Sequence, residues 1–221
     1  MGILDKPAVR RLYDREAEHY DASLFWFGLV GLKSWRAALI SGLRLAAGAT
    51  VVDLCCGTGA NFALLADAVG PHGRMVGVDL SEAMLVQARR KAEVAGWSNV
   101  ELIQADVEAF QLPIGTEAVI STFGLEMVPR YEHVIENIAA NLRPGGRLGL
   151  LGLKHPERWP RWLIDVGVRL TQKYGVAREY ESFQPWRAAE HYLRVTHWEQ
   201  KLFGAAYICI AEKSAAESSP S

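Results

Sequence analysis

The chain has 221 residues, half of them hydrophobic and 22% charged. That supports a single cored domain and excludes a disordered, collagenous or coiled-coil chain. Lys and Arg total 24 against 25 Asp and Glu, a formal net charge of −1, so no basic field exists to hold nucleic acid and no nucleic-acid partner is expected. Three cysteines, two of them adjacent at Cys55 and Cys56, argue against a disulfide framework and for a reducing, cytoplasmic setting.

Residues 1–13 are charged where a secretory leader needs an apolar core, and no apolar run approaches the roughly 20 residues of a bilayer span. Residues 1–49 read as a helical, aromatic-rich lid. Its apolar stretch 24–32, followed by Lys33 and Arg36, suits a buried amphipathic helix or an interfacial segment over a substrate. The lid is expected to cross one end of a sheet whose faces are already covered. From Thr50 a regular alternation begins. TVVDLCC is a strand, followed by a glycine turn and a helix over 61–69. RMVGVDL is the next strand, and Ser81 caps a helix that runs to Ala95 and ends at Gly96. NVELIQAD and AVISTFGL are strands, 131–142 is helical, and RLGLLGL is a fifth strand. Strands that alternate with helices predict a parallel sheet covered on both faces.

After Leu153 the pattern changes. Residues 156–174 are helical, with Trp162, Val166 and Leu170 at a spacing of four. HYLRVTHWEQ and AAYICIAEK then read as two strands with no helix between them, and a short link forces antiparallel pairing. The expected fold is α/β: a doubly wound, mostly parallel seven-stranded sheet with an antiparallel last strand. Residues 50–213 form the core, with an insert at about 154–190, and 214–221 form a flexible tail.

The strongest chemical signal is Asp53-Leu-Cys-Cys-Gly57-Thr58-Gly59, a strand-to-helix turn. In open α/β sheets ligands bind beyond the carboxyl ends of the strands. Gly57 and Gly59 let main chain approach a ligand. Asp79 ends the second strand, twenty residues after Gly59, where a carboxylate accepts two hydrogen bonds from ribose hydroxyls. Asp106 ends the third strand, where an adenine amino group is read, so three successive strands end in an acid, Asp53, Asp79 and Asp106, all expected at the cofactor. A dinucleotide site wants a third glycine, but Phe62 stands there, and the turn holds no basic residue for a pyrophosphate. A ligand with a cationic end and a ribose fits better: S-adenosylmethionine, with S-adenosylhomocysteine as the product. No ligand pair stands at zinc-like spacing, so no metal is expected.

Together these segments resemble a class I S-adenosylmethionine-dependent methyltransferase. Within that group they are most similar to the ubiquinone/menaquinone-biosynthesis methyltransferases and the bacterial phospholipid N-methyltransferases. VVDLCCGTG resembles the first family motif, with Cys55 where glycine is usual, and VGVDLSEAML resembles the second. QADVEAF resembles the third, and ISTFGLEMV with NLRPGGRLGLLGL the fourth and the entry to the fifth strand. The resemblance implies Asp79 on the ribose, Leu80 and Met84 against adenine, and Asp106 and Val107 at the adenine edge. It also implies Thr122 and Phe123 touching the cofactor from the fourth strand, and Tyr13 or Tyr20 offered from the lid. No Asn-Pro-Pro-Tyr-like tetrapeptide of base-amino methylases follows the fourth strand.

Methyl transfer needs alignment first, and a base only for some acceptors. Glu126, after the fourth strand, and His155, after the fifth, are the candidate bases on that rim. The acceptor mouth is expected from the lid and the insert, with Phe25, Trp26, Phe27, Trp35, Trp159, Trp162, Phe183, Trp186 and Trp198. It suits an apolar small-molecule or lipid acceptor, such as a quinol, or an amine held by cation–π contacts. Arg158, Arg161, Arg169 and Lys173 make the insert basic, which suits either a solvated helix face or a peripheral contact with lipid phosphates at the inner membrane. The competing reading is a noncatalytic protein of this fold that binds a partner; the intact Gly57, Gly59, Asp79 and Asp106 speak against it.

Overall fold

A computed structural model describes residues 6–17, 31–157, 159–160, 164 and 183–215. The strands are β1 Thr50–Leu54, β2 Arg74–Asp79, β3 Val100–Gln104, β4 Ala118–Thr122, β5 Arg147–Leu153, β6 Arg194–Lys201 and β7 Ala206–Glu212. The helices among the described residues are α1 Lys6–Glu16, α2 Leu32–Gly42, α3 Phe62–Val69, α4 Glu82–Ala95, α5 Tyr131–Asn141 and α6 Pro185–Tyr192. The seven strands form one sheet in the order β3-β2-β1-β4-β5-β7-β6. The first five are parallel, and β7 runs antiparallel to both β5 and β6. The expected fold class stands.

Period-two alternation feeds two cores. Val51, Ile120, Leu151 and Ile208 join one hydrophobic cluster with Phe62 and Leu65 of α3 and Leu85 of α4. Their strand neighbours Val52, Val119, Leu150 and Tyr207 join the other, with Ile135 and Ile138 of α5. β1 and β4 are buried almost throughout, as central strands covered on both faces must be.

The N-terminal expectation divides. Right-handed crossovers set α3 and α4 on one face over β1–β3, and α5 on the other. The β5–β7 half of the first face is left bare, and α2 fills it. Leu39 and Leu43 rest on Gly149 of β5, where a Cβ would stand 3.1 and 3.0 Å from their methyl groups. So α2 lies on a face of the sheet, not across its end. Among the described N-terminal residues, α1 crosses the strand ends, tied to the segment after β3 and to Ser81.

Four boundaries also differ. Asn61 precedes α3 as its N-cap and is not its first residue. β3 stops at Gln104, so Asp106 stands two residues beyond it, and β4 stops at Thr122, where Phe123 turns the chain with φ 56°. The segment expected as a strand from His191 begins inside α6, which Pro185 starts from its first turn, and β6 begins only at Arg194. Ser81 caps α4 as expected: its Oγ accepts from the Met84 N–H at 3.2 Å, and Gly96 closes the helix with φ 72°.

Candidate active site

The carboxyl ends of β1, β2 and β4 and the segment after β3 open onto one crevice. Tyr13, Gly57, Thr58, Asp79, Leu80, Met84, Asp106, Val107, Thr122 and Phe123 all line it. Ten of the expected site residues are therefore brought together, from α1 and four strand ends.

The turn after β1 makes the floor. Cys55, Gly57 and Gly59 have φ of 56°, 55° and 73°. A Cβ on Gly57 would meet nothing within 4 Å, so this main chain faces open space. Gly59 answers a different need. A Cβ there would stand 2.6 Å from the Phe62 ring, and one on Gly77 would stand 2.8 Å from the same ring. The aromatic that replaces the dinucleotide glycine is thus seated between two bare glycines. Gly59 itself is not part of the crevice wall.

Asp79 is aimed by the backbone. Its Oδ2 accepts from the Gly57 N–H at 2.8 Å and its Oδ1 from the Ser81 N–H at 2.9 Å. Burial pushes its pKa up, while these N–H groups and that of Leu80 pull it down. Asp53 has another task. It is buried beneath the crevice and does not line it, and Asn61 Nδ2 donates to its two oxygens at 3.2 and 3.0 Å and to Thr122 Oγ1 at 3.1 Å. Burial raises Asp53 to about 7, against the pull of Asn61 and the field of Arg36. Asp53 therefore braces the turn to β4 and is not an acidic tip that meets ligand.

Asp106 accepts from the Glu108 N–H at 3.0 Å and pairs with Lys6 of α1 at 2.5 Å. Lys6 also reaches Glu108 at 2.5 Å, and Arg130 Nε reaches Glu108 at 2.8 Å. Burial works to raise Glu108, but these cations outweigh it and hold the carboxyl at about 2. Ser81 Oγ, at 2.5 Å from Asp14, ties the other side of α1 down. Helix α1 is thus latched over the β2–β3 end.

The candidate bases stand apart from the crevice wall. Glu126 lies in a short 3-10 turn, Leu125–Met127. Its carboxylate sits over Gly152 of β5, where a Cβ would collide with it, and Tyr207 of β7 donates its hydroxyl at 3.5 Å. Burial lifts it to about 7, against the backbone N–H groups of Glu126 and Leu153 and the Tyr207 hydroxyl. Its side chain turns toward β5 and β7. His155 follows β5 and is half-buried.

Most described aromatics of the expected acceptor mouth serve packing instead. Trp35 is core. Trp186 lies 4.7 Å from Tyr207 and 5.7 Å from Trp198, and Phe183 lies 5.3 Å from Tyr131. Trp159 Nε1 donates to the Phe203 carbonyl at 3.2 Å. Tyr20, Phe25, Trp26, Phe27, Trp162, Arg158, Arg161, Arg169 and Lys173 lie outside the described residues.

Sequence reasoning missed Lys6 and Arg36 on the wall, and Glu108 and Arg130 behind it. Each acts across a long stretch of chain, and no local signal marks it. Cys55 is a partial exception. Its left-handed φ costs an L-residue roughly 1–2 kcal/mol, a strain that a glycine there would not carry. Burial and the neighbouring carboxylates push the Cys55 and Cys56 thiols well up, so both are neutral.

Comparison with known proteins adds an independent line. The model of the ubiE/COQ5 methyltransferase family matches residues 2–161. A 2-phytyl-1,4-naphtoquinone methyltransferase of Thermosynechococcus vestitus is 33% identical over 186 residues, 80% of this chain and 81% of that one. A demethylmenaquinone methyltransferase of Listeria welshimeri is 31% identical over 155 residues, 70% of this chain and 65% of that one. Two solved structures share the fold. One is a SAM-dependent methyltransferase from Aquifex aeolicus, with TM-score 0.61 and 18% identity over 95% of this chain and 99% of that one. The other is the geranyl diphosphate C-methyltransferase of Streptomyces coelicolor, solved with S-adenosylhomocysteine. It has TM-score 0.63 and 16% identity over 82% of this chain and 79% of that one.

Proposed function

The chain belongs to the ubiE/COQ5 methyltransferase family, and from that premise we propose that its crevice takes S-adenosylmethionine and serves C-methylation of an apolar quinol. It is an S-adenosylmethionine-dependent methyltransferase, as its family and relatives are. The quinol comes from what those two relatives are named for, a phytyl naphthoquinone and a demethylmenaquinone.

The residues fit the donor. Gly57 leaves an open cradle, Asp79 offers a carboxylate already oriented by two N–H groups, and no cation stands in the turn to receive a pyrophosphate. When bound, the donor supplies a methyl group activated by the positive charge on its sulfur. Asp79 accepts hydrogen bonds from the ribose hydroxyls. Leu80, Met84 and Val107 form the apolar walls for adenine, and Asp106 reads its edge. Thr122 and Phe123 bound the other end, and Tyr13 closes from above. The chain's main task is to hold acceptor and donor in line and to exclude water, which removes about 7–11 kcal/mol of barrier in well-oriented systems. A quinol carbon is nucleophilic once the ring hydroxyl gives up its proton. Glu126, held at about 7 by burial, is the base we assign to that proton, with His155 as the second candidate on the same rim.

The observation that carries this reading is the Gly57 N–H bond to Asp79, which joins the bare turn to the ribose-type acid in one rigid unit. The test is a turnover screen with labelled donor against a demethylated menaquinol, phosphatidylethanolamine and small amines. Transfer to a ring carbon of the quinol is expected. Transfer to phosphatidylethanolamine with the quinol untouched would refute the acceptor, and no transfer to any of them would refute the reading.

A further inference from the structure

We propose that Arg36 is the carboxylate anchor at the amino-acid end of the methyl donor, and that it makes the crevice demand the whole donor rather than its nucleoside half. The inference rests on the reading of this crevice as the donor site.

Sheet order sets the direction. Along β3-β2-β1-β4 come, in turn, Asp106, Asp79, the Gly57 turn and Phe123. A nucleoside with its hydroxyls on Asp79 and its base toward Asp106 sends its 5′ substituent the other way. It passes over the Gly57 turn toward Thr122 and Phe123. In S-adenosylmethionine that substituent ends in an α-carboxylate, which needs a cation.

Three cationic side chains line the crevice among the described residues: Lys6, Arg10 and Arg36. Two belong to the wrong end. Lys6 is committed to Asp106 and Glu108, and Arg10 pairs with Asp14 at 3.6 Å, both on α1 over β2 and β3. Arg36 comes from α2 and from the other side. Its guanidinium carbon lies 5.9 Å from the centre of the Phe123 ring, at the end of β4. Its field also reaches Asp53 beneath the turn, which places positive potential where the chain of ligand atoms would end.

The mount is rigid. Trp35, Leu39 and Ile40 on α2 are buried beside Arg36, so the helix has little freedom to carry the guanidinium elsewhere. Phe123, turned by its φ of 56°, sets a ring face against it. A planar guanidinium fixed in this way receives a carboxylate through two parallel N–H groups, which a lysine ammonium cannot match.

The test compares two probes on the full chain by calorimetry: S-adenosylhomocysteine, which carries the α-carboxylate, and 5′-methylthioadenosine, which lacks the whole amino-acid end. Arg36→Met keeps the stem and removes the charge. It should weaken S-adenosylhomocysteine roughly 10- to 100-fold, as loss of a charge-assisted pair does, and leave 5′-methylthioadenosine within about two-fold. Arg36→Lys should fall between. Equal losses for the two probes would show that Arg36 merely shapes the site, and unchanged binding of both would remove it from the site; either overturns the proposal. The unaltered protein gives a check that no folding defect can cloud. It should bind S-adenosylmethionine at least roughly 10-fold more tightly than its decarboxylated form, and equal affinities would overturn the anchor. If the unaltered protein binds neither probe, the donor-site reading itself fails. If it binds both without discrimination, only the assignment of Arg36 fails.

Discussion

At the β2–β3 end of the crevice, acids are met by donors. Asp79 has two backbone N–H groups, and Glu108 has Lys6 and Arg130. Beside the β4–β5 end, off the crevice wall, Glu126 lies half-buried over Gly152 with a tyrosine hydroxyl at 3.5 Å. Two glutamates of one rim therefore sit at about 2 and about 7. On the proposed reading, the first end holds the donor through preset polar groups, and the second offers a carboxyl that exchanges a proton near neutrality.

The largest expected effect breaks the holding end. Asp79→Ala removes both the ribose acceptor and the partner of the Gly57 N–H. It should cost about 1.5–3 kcal/mol of S-adenosylhomocysteine affinity, as hydrogen bonds to a charged group do. Calorimetry that shows unchanged affinity would take the ribose away from Asp79.

The next effect tests the poised end through pH. Folded Glu126 titrates at about 7 against an ordinary 4.5, so the native state holds this proton more tightly than the unfolded chain. Its contribution is fully present below about 4.5 and is lost as pH rises through about 7. Glu126→Gln removes that loss. The variant should melt above the parent at pH 8.5, by an amount equivalent to roughly 1–3 kcal/mol, and converge with it toward pH 5. Asp53, also raised to about 7, contributes the same trend to both proteins and cancels in the comparison. Turnover separates the roles. If Glu126 is the base, quinol methylation falls in the variant while donor affinity holds, and equal turnover would release Glu126 from that task.

These two ends differ in how far the sequence reveals them. Gly57, Asp79, Ser81 and Gly96 act on neighbours in a strand–turn–helix unit, so spacing and residue type announce them. Asp53 was misjudged from the same run. It ends a strand as Asp79 does, but its carboxylate is sealed under Asn61, and only the packing shows that. Lys6 meets Asp106 from a hundred positions away, and Arg36 meets Phe123 through a helix whose place on the sheet was itself misread. That misreading has a plain cause. Crossover direction leaves the β5–β7 half of one face open, and sequence alternation does not report where cover is missing. For α6 the signal was present in Pro185 and the helix formers after it, but the alternation of HYLRVTHWEQ concealed it.

A smaller effect sharpens the contrast, because its pH dependence has the opposite sign. Glu108 falls from an ordinary 4.5 to about 2 in the folded chain. Its contribution is present above about 4.5 and is lost as pH drops toward 2. Lys6→Met removes one of its two cations. With Lys6 about a third exposed, screening limits the cost to roughly 0.5–1 kcal/mol at pH 7. Thermal melts should show the gap between variant and parent closing between pH 4.5 and 2.5. A gap that stays constant across that range would mean that α1 is held by packing rather than by this pair.

The smallest effect lies in the turn between the two ends. Cys55 holds φ 56° as an L-residue, while its side chain fills the space that Gly124 leaves bare. Cys55→Gly relieves the left-handed strain of about 1–2 kcal/mol, but adds backbone freedom to the unfolded chain, about 0.5–1 kcal/mol, and loses some packing. The terms nearly offset, so the expected gain is between about 0 and 1 kcal/mol. Donor affinity should be unchanged, because no ligand contact is assigned to the thiol. A loss of more than about 1 kcal/mol in chemical denaturation would show that the sulfur packs against Gly124 more tightly than its half-buried position suggests. A gain in stability with weaker donor binding would show that the strained turn is part of how the crevice is shaped.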